Sequence, residues 1–248
     1  SRLTRLQREA EPILWAFGSA ARHHQQNCDW LGERSRADLP LMRGAMSPEM
    51  GRSEEVARKI RVELEKRNLH KEPVGVDVVE PPILFALQKE GLTIVDGQQL
   101  MSNAREIKTV DEIELLKQCS AITDGVHDAL SRAIRPGVTE RDLVAVATQK
   151  FFELGAERAG GLQAGAGPRG LPHSHTPSDR MIQPGDMVFI DPLGTFMGYR
   201  TCYYRCYVCG KPNKHQEEAY ERASKWLSAS IDAANSGALC PVWERSSV

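Results

Sequence analysis

Residues 185–205 read "GDMVFIDPLGTFMGYRTCYYR". An apolar run leads to Asp191, a Gly-Tyr turn follows, and Cys202 stands eleven residues after Asp191. An apolar run, a Gly-containing turn and a second run rich in Tyr and Thr predict a β-hairpin. The hairpin brings Asp191 and Cys202 into question as a chemical pair.

Capped helices flank this hairpin. Thr109 with Glu112 three residues later predicts a helix start, and Leu115, Cys119, Ile122, Val126 and Leu130 form its apolar stripe. Pro136-Gly137 ends it. Thr139 caps a second helix, which ends at Gly155 and is expected to bury Leu143, Ala147, Phe151 and Leu154. The stretch "AGGLQAGAGPRGLPHSHTPSDR" (159–180) reads as irregular loop. Its "AGAGPRG" lacks the GK[ST] and the following helix of a phosphate loop. After the hairpin, residues 213–235 predict an amphipathic helix with Ala219, Ala223, Leu227 and Ile231 inward.

The region before it has another rhythm. "PILWAFG" (12–18), "VGVDV" (74–78) and "LTIVDG" (92–97) read as strands. "SEEVARKIRVELEKRNL" (53–69, Ser53 the expected N-cap) and "PPILFALQKEG" (81–91) read as helices. This alternation predicts an α/β domain with a largely parallel sheet. The boundary falls near 103–109.

Bulk properties exclude several classes. The chain has 248 residues, 32 basic and 33 acidic, for a formal net charge of -1. No electrostatic case exists for nucleic acid or an anionic membrane. No apolar run approaches the ~18 residues of a membrane span. The scattered cysteines read as reduced thiols of a cytoplasmic protein. The paired histidines of "RHHQQNC" (22–28) read as a solvated helix face.

Residues 104–212 resemble the creatinase/prolidase/methionine aminopeptidase superfamily. Four stretches carry the likeness: "AREIKTVDEIELLKQCSAITD", "IRPGVTERDLVAVATQKFFELGA", "LPHSHTPSDRMIQPGDMVFIDPLG" and "MGYRTCYYRCYVCGKP". The resemblance implies an α+β pita-bread catalytic domain, here its first half (105–237). An α/β creatinase-type N-terminal domain with its start missing (1–104) precedes it, and a non-family tail (238–248) follows. The chain then reads as truncated at both ends. Peptidases of this family hold two metal ions with two Asp, one His and two Glu. The two Asp lie on this hairpin, so Asp191 matches the first metal ligand and Cys202 occupies the second position. The His and the two Glu belong to the half that would follow.

Two divalent ions about 3.5–4 Å apart need bridging carboxylates, and one soft sulfur bridges hard ions poorly. "GYRTCYYR" is similar to creatinase, which reads GYxTAxxR at this turn and uses no metal. The cofactor expectation is therefore none, or one divalent ion (Mn, Zn, Fe or Co). His173 and His175 are the candidate catalytic acid/base residues, as His titrates near neutrality. His173 follows the "LP" of the family's substrate His and His175 stands in an "HxP". Each has the competing reading of a polar loop histidine, and Asp191 that of a turn-capping carboxylate. Cys202, Cys206 and Cys209 are expected to be buried thiols. A zinc site joining Cys202 and Cys206 to His173 and His175, and a nucleophilic Cys202, are minority readings. Arg205 is assigned a structural role, pinning a carboxylate. Tyr199 and Tyr203 are assigned to packing.

The expected function is hydrolysis of a C–N bond in a small amide or dipeptide-like substrate, with His-based proton transfer. The alternatives are a metal-dependent Xaa-Pro peptidase, a lyase of the dimethylsulfoniopropionate type, and a non-catalytic binding module. The partners implied are that small substrate and, for a full-length chain, a second copy in a homodimer.

Overall fold

The computed structural model describes residues 11–16, 19–31, 34–37, 48–172, 174–234 and 237. The chain divides into two units between Ile107 and Lys108.

The first unit holds β1 (Leu14–Trp15), α1 (Ser19–Asn27), β2 (Ser35–Arg36), α2 (Arg52–Lys66), β3 (Val74–Val76), α3 (Pro81–Lys89), β4 (Ile94–Asp96) and α4 (Gln98–Glu106). Its described strands form two parallel pairs, β1 with β2 and β3 with β4. The expected strand at 12–18 is only two residues long, and residues 17 and 18 lie outside the described set. Gly51, not Ser53, is the N-cap of α2, so Ser53 sits inside the first turn. Helix α4 lies outside the sequence expectation, and it buries no residue. Ala57, Ala86, Leu87 and Leu92 form this unit's core, with Ile60 and Leu64 packed against it.

The second unit runs α5 (Val110–Ala133), α6 (Glu140–Glu153), β5 (Arg158–Ala166), β6 (Met187–Phe196), β7 (Tyr199–Thr201), β8 (Arg205–Val208) and α7 (Lys214–Ala233). The expected capping box of Thr109 with Glu112 forms, and the expected Thr139 cap proves to be a second box, closed by Asp142. Strand β6 is the centre of an antiparallel sheet. It pairs with β5 on one side and with β7 and then β8 on the other. Alternate residues of β5 and β6 (Leu162, Ala164, Ala166, Val188, Ile190) join Val126, Leu130, Leu143 and Phe151 in one buried core. Gly194 lets Phe151 approach, since a methyl there would stand 2.3 Å from the Phe151 ring.

Four sequence expectations fail here. The Gly-rich loop at 159–180 begins as strand β5, which reaches Ala166. Pairing with β6 outweighs the poor strand propensity of Gly and Ala. The hairpin turn is Met197-Gly198, both at positive φ (49° and 81°), rather than Gly-Tyr. Leu154 is 38% exposed. Helix α7 buries no residue; Leu227 and Ile231 are 59% and 63% exposed, because no described element covers the face expected to turn inward.

Candidate functional site

The site lies on the sheet face turned away from the helical core. Asp191 stands directly opposite Gln163 across β5 and β6, so their side chains share this face. Two residues earlier Phe189 stacks on Tyr204, with ring centroids 5.1 Å apart.

Helix α5 holds the hairpin in place. Tyr199 donates to Glu112 Oε1 at 2.8 Å, Thr123 Oγ1 and Thr201 Oγ1 are 3.0 Å apart, and Thr201 donates to Cys119 Sγ at 3.3 Å. Residues 202–204 then leave the ladder between β7 and β8. The register is the same on both sides of this break, with Thr201 opposite Gly194 and Arg205 opposite Ile190, and the Cys202 thiol hydrogen-bonds to Asp191.

His127 on α5 supports the same break. Its Nε2 lies 3.1 Å from the Tyr203 carbonyl, which only accepts, so Nε2 carries the proton. Its Nδ1 meets the Tyr207 hydroxyl at 3.0 Å, and its ring stacks on Tyr203 at 5.0 Å. Tyr203 donates to Asp124. Tyr199 and Tyr203 are thus hydrogen-bonding anchors as well as packing residues. Arg205 does not pin a carboxylate: its guanidinium covers the Tyr203 ring at 4.5 Å and donates to the Tyr204 carbonyl at 2.8 Å.

Glu140 organises the segment that bears the histidines. It is fully buried at the first position of α6. Its carboxylate accepts from the Ala166 N–H (2.9 Å), from the Ser178 N–H and hydroxyl (both 2.7 Å), and from Arg169 Nε at 3.1 and 3.3 Å. Arg169 in turn donates to Ser174 Oγ (3.0 Å) and the Thr176 carbonyl (2.7 Å). The loop from 167 to 178 therefore hangs on one buried carboxylate. Sequence reading passed over Glu140; its only signal was an acid directly after the Thr139 cap.

Asp191 is 1% exposed, and its Oδ1 has no hydrogen-bond partner. Burial pushes its carboxyl above the usual range, against the opposing pull of the Cys202 thiol and of the charge on nearby His175. Burial, the Asp191 charge and the hydrogen bond to it push the Cys202 thiol up. Cys202 and Cys206 are exposed rather than buried; only Cys209 of the three is buried. A raised thiol pKa opposes the nucleophilic reading, because the thiolate is the nucleophile. His175 is exposed, and His173 lies outside the described residues. No group of three or more His, Cys, Asp or Glu that could hold a metal ion exists among the described residues; His173, which the four-residue zinc site needs, lies outside them. A single carboxylate beside a thiol does not fit a pair of hard metal ions. A hollow of about 380 Å³ lies elsewhere, between β8 and the first turns of α7, and none of Gln163, Asp191 or Cys202 lines it.

Fold and site together define a pita-bread chain of the creatinase/prolidase superfamily, with the first half of the catalytic domain present. Residues 114–243 match Metallopeptidase family M24, and the chain belongs to that family. It is 28% identical over 148 residues to "Probable dipeptidase PepE" of Mycobacterium tuberculosis, covering 59% of this chain and 40% of the relative. It is 31% identical over 140 residues to the "Xaa-Pro dipeptidase" of Pyrococcus furiosus, covering 56% and 40%. The chain thus spans about 40% of the length of these curated relatives. Among solved structures, a prolidase from Thermococcus sibiricus superposes with TM-score 0.67 at 21% identity, covering 85% of this chain and 55% of that one. The dipeptidase PepE from Mycobacterium ulcerans gives 0.59 at 25% identity, covering 73% and 47%. No helix among the described residues is long and apolar enough to cross a membrane.

Proposed function

We propose that this chain carries the histidine and aspartate half of a hydrolase that cleaves a C–N bond in a small amide or dipeptide-like substrate. The observation that carries the reading is Asp191: a buried carboxylate with one unpartnered oxygen, within electrostatic reach of His175, with a thiol where the family's second carboxylate belongs.

In this reading the imidazole of His173 or His175 moves the proton. It takes one from the attacking water and returns one to the departing nitrogen. Asp191 offers its carboxylate to the substrate's N–H donors or to the imidazolium. Removing the substrate's water shell strengthens both interactions. Cys202 holds Asp191 in place by hydrogen bonding and takes no covalent part.

The test uses the full-length protein, assayed for release of amine from Xaa-Pro dipeptides and from creatine-like guanidino compounds, before and after dialysis against a chelator. Turnover that survives chelation and falls at least a hundredfold in His173→Ala or His175→Ala supports the reading. Turnover strictly dependent on added metal sinks it in favour of a metal-dependent Xaa-Pro peptidase; one relative is named "Xaa-Pro dipeptidase".

A further inference from the structure

Pro192 is fully buried within β6, a strand with neighbours on both sides. Proline has no N–H to give a ladder, so inside sheets it is confined to edge strands, strand starts and bulges. Strand parity shows which neighbour loses by it. In an antiparallel pair, hydrogen-bonded and non-hydrogen-bonded positions alternate. The Cys209 N–H donates to the Asp186 carbonyl at 2.9 Å, which makes 186 a hydrogen-bonded position on the β8 side. Positions 188, 190 and 192 share that parity. The register that sets Thr201 opposite Gly194 and Arg205 opposite Ile190 sets Tyr203 opposite Pro192. The N–H that Pro192 lacks is therefore the one due to the Tyr203 carbonyl. Toward β5, Pro192 faces Leu162 at a position of the other parity, where the ladder asks for no bond.

A side chain fills the gap. His127 Nε2–H reaches the Tyr203 carbonyl from α5 at 3.1 Å. His127 is 6% exposed, and the Tyr207 hydroxyl, 3.0 Å from Nδ1, keeps the proton on Nε2. The same imidazole stacks on the Tyr203 ring, whose hydroxyl donates to Asp124, also on α5. Tyr203 is thus tied to α5 by its carbonyl, its ring and its hydroxyl. The residue before it, Cys202, carries the thiol that hydrogen-bonds to Asp191.

We infer that His127 is a positioning residue: its Nε2–H replaces the ladder donor that Pro192 lacks, and so fixes the 202–204 segment that seats the Cys202 thiol on Asp191. The ladder is interrupted at one place and resumes in the same register because a helix supplies the missing bond. The inference rests on the proposed function only for what the Cys202–Asp191 pair does to a substrate.

Nitrogen-15 NMR of the imidazoles in the wild-type chain is expected to show His127 as the Nε2–H tautomer, with that proton protected from exchange. The Nδ1–H tautomer overturns the inference without recourse to any variant. Alkylation of Cys202 by iodoacetamide, read by peptide mapping, tests the seating. His127→Leu is expected to speed it about threefold or more and to make it insensitive to Asp191→Asn. His127→Gln keeps a side-chain N–H of similar reach and should stay within twofold of wild type. Equal rates in the two variants overturn the inference, because packing alone would then account for both. Pro192→Ala returns the backbone N–H, so in that background His127→Leu should change the rate by less than twofold; an undiminished effect overturns the exchange of donors. Circular dichroism establishes that each variant is folded. Should His127→Leu unfold, recovery of the fold on adding Pro192→Ala supports the inference and continued unfolding overturns it. Neither readout uses a substrate, so a wild type that hydrolyses nothing sinks the proposed function and leaves the role of His127 standing.

Discussion

Glu140 and Arg169 join the start of α6 to the loop that bears the histidines, with Arg169 Nε 3.1 and 3.3 Å from the two oxygens of a carboxylate that is itself fully buried. Burial works against its ionisation, but hydrogen bonds from Ser178, Ala166 and Arg169 outweigh it and hold the carboxyl below the usual range. Because the folded-state pKa is depressed, the stabilisation is present above the unfolded value and is lost as pH falls through the folded one. Glu140→Gln removes the charge and at least one acceptor from four donors. It is expected to cost about 2 kcal/mol in urea unfolding at pH 7. The gap should narrow below about pH 4. Equal stability at pH 7 would show that the loop does not depend on this anchor.

Asp191 has the opposite linkage. Its folded pKa is raised, chiefly by burial, so ionisation destabilises the fold as pH rises above the unfolded value. Asp191→Asn is therefore expected to raise the thermal midpoint at pH 7 and to lose that advantage near pH 3. A lowered midpoint at pH 7 would mean that the charge is compensated in the native state.

Cys202 provides a chemical readout of the same pair. Its thiol is exposed but held protonated by its surroundings and by the Asp191 charge. Native protein at pH 7.5 is expected to alkylate at Cys202 with iodoacetamide several-fold more slowly than a free thiol of ordinary pKa. Asp191→Asn should speed it. Peptide mapping by mass spectrometry separates Cys202 from Cys206, and a rate unaffected by Asp191→Asn would remove the coupling.

His127 is buried, and desolvation lowers its pKa against the pull of its bond to the Tyr203 carbonyl. A base with a depressed folded pKa makes stability fall as pH drops from about 6.5 toward the folded value. His127→Gln is expected to flatten the stability profile between pH 6.5 and 5. NMR titration of the His127 ring above pH 6.5 would contradict this.

Gly194 faces the Phe151 ring at a place where a methyl group would stand 2.3 Å from it. Gly194→Ala is expected to cost about 2–3 kcal/mol through forced repacking. Gly194→Ala with Phe151→Leu should recover part of that loss. Chemical denaturation of both variants checks the pair.

Helix α7 shows where sequence patterning stops. Its stripe of Ala219, Ala223, Leu227 and Ile231 is periodic, and the helix forms with an Asn213 capping box. Periodicity states which face is apolar, not what covers it, and here that face stays exposed. The stretch 159–166 is the converse case. Its glycines and alanines carry no strand signal, yet β6 supplies the partner that makes them a strand.

Local physics was legible in the residues themselves: the Thr109 capping box, the Thr139 cap, the core stripes of α5 and α6, and the hairpin. These depend on side chains a few positions apart along one chain. Long-range pairing decided the rest. Gln163 stands opposite Asp191 although 28 residues separate them along the chain, Glu140 reaches Ser178 across a loop, and His127 meets Tyr203 from another element. No local pattern encodes such meetings, because each depends on strand register and helix packing, which arise only when the separate elements bury their apolar faces together.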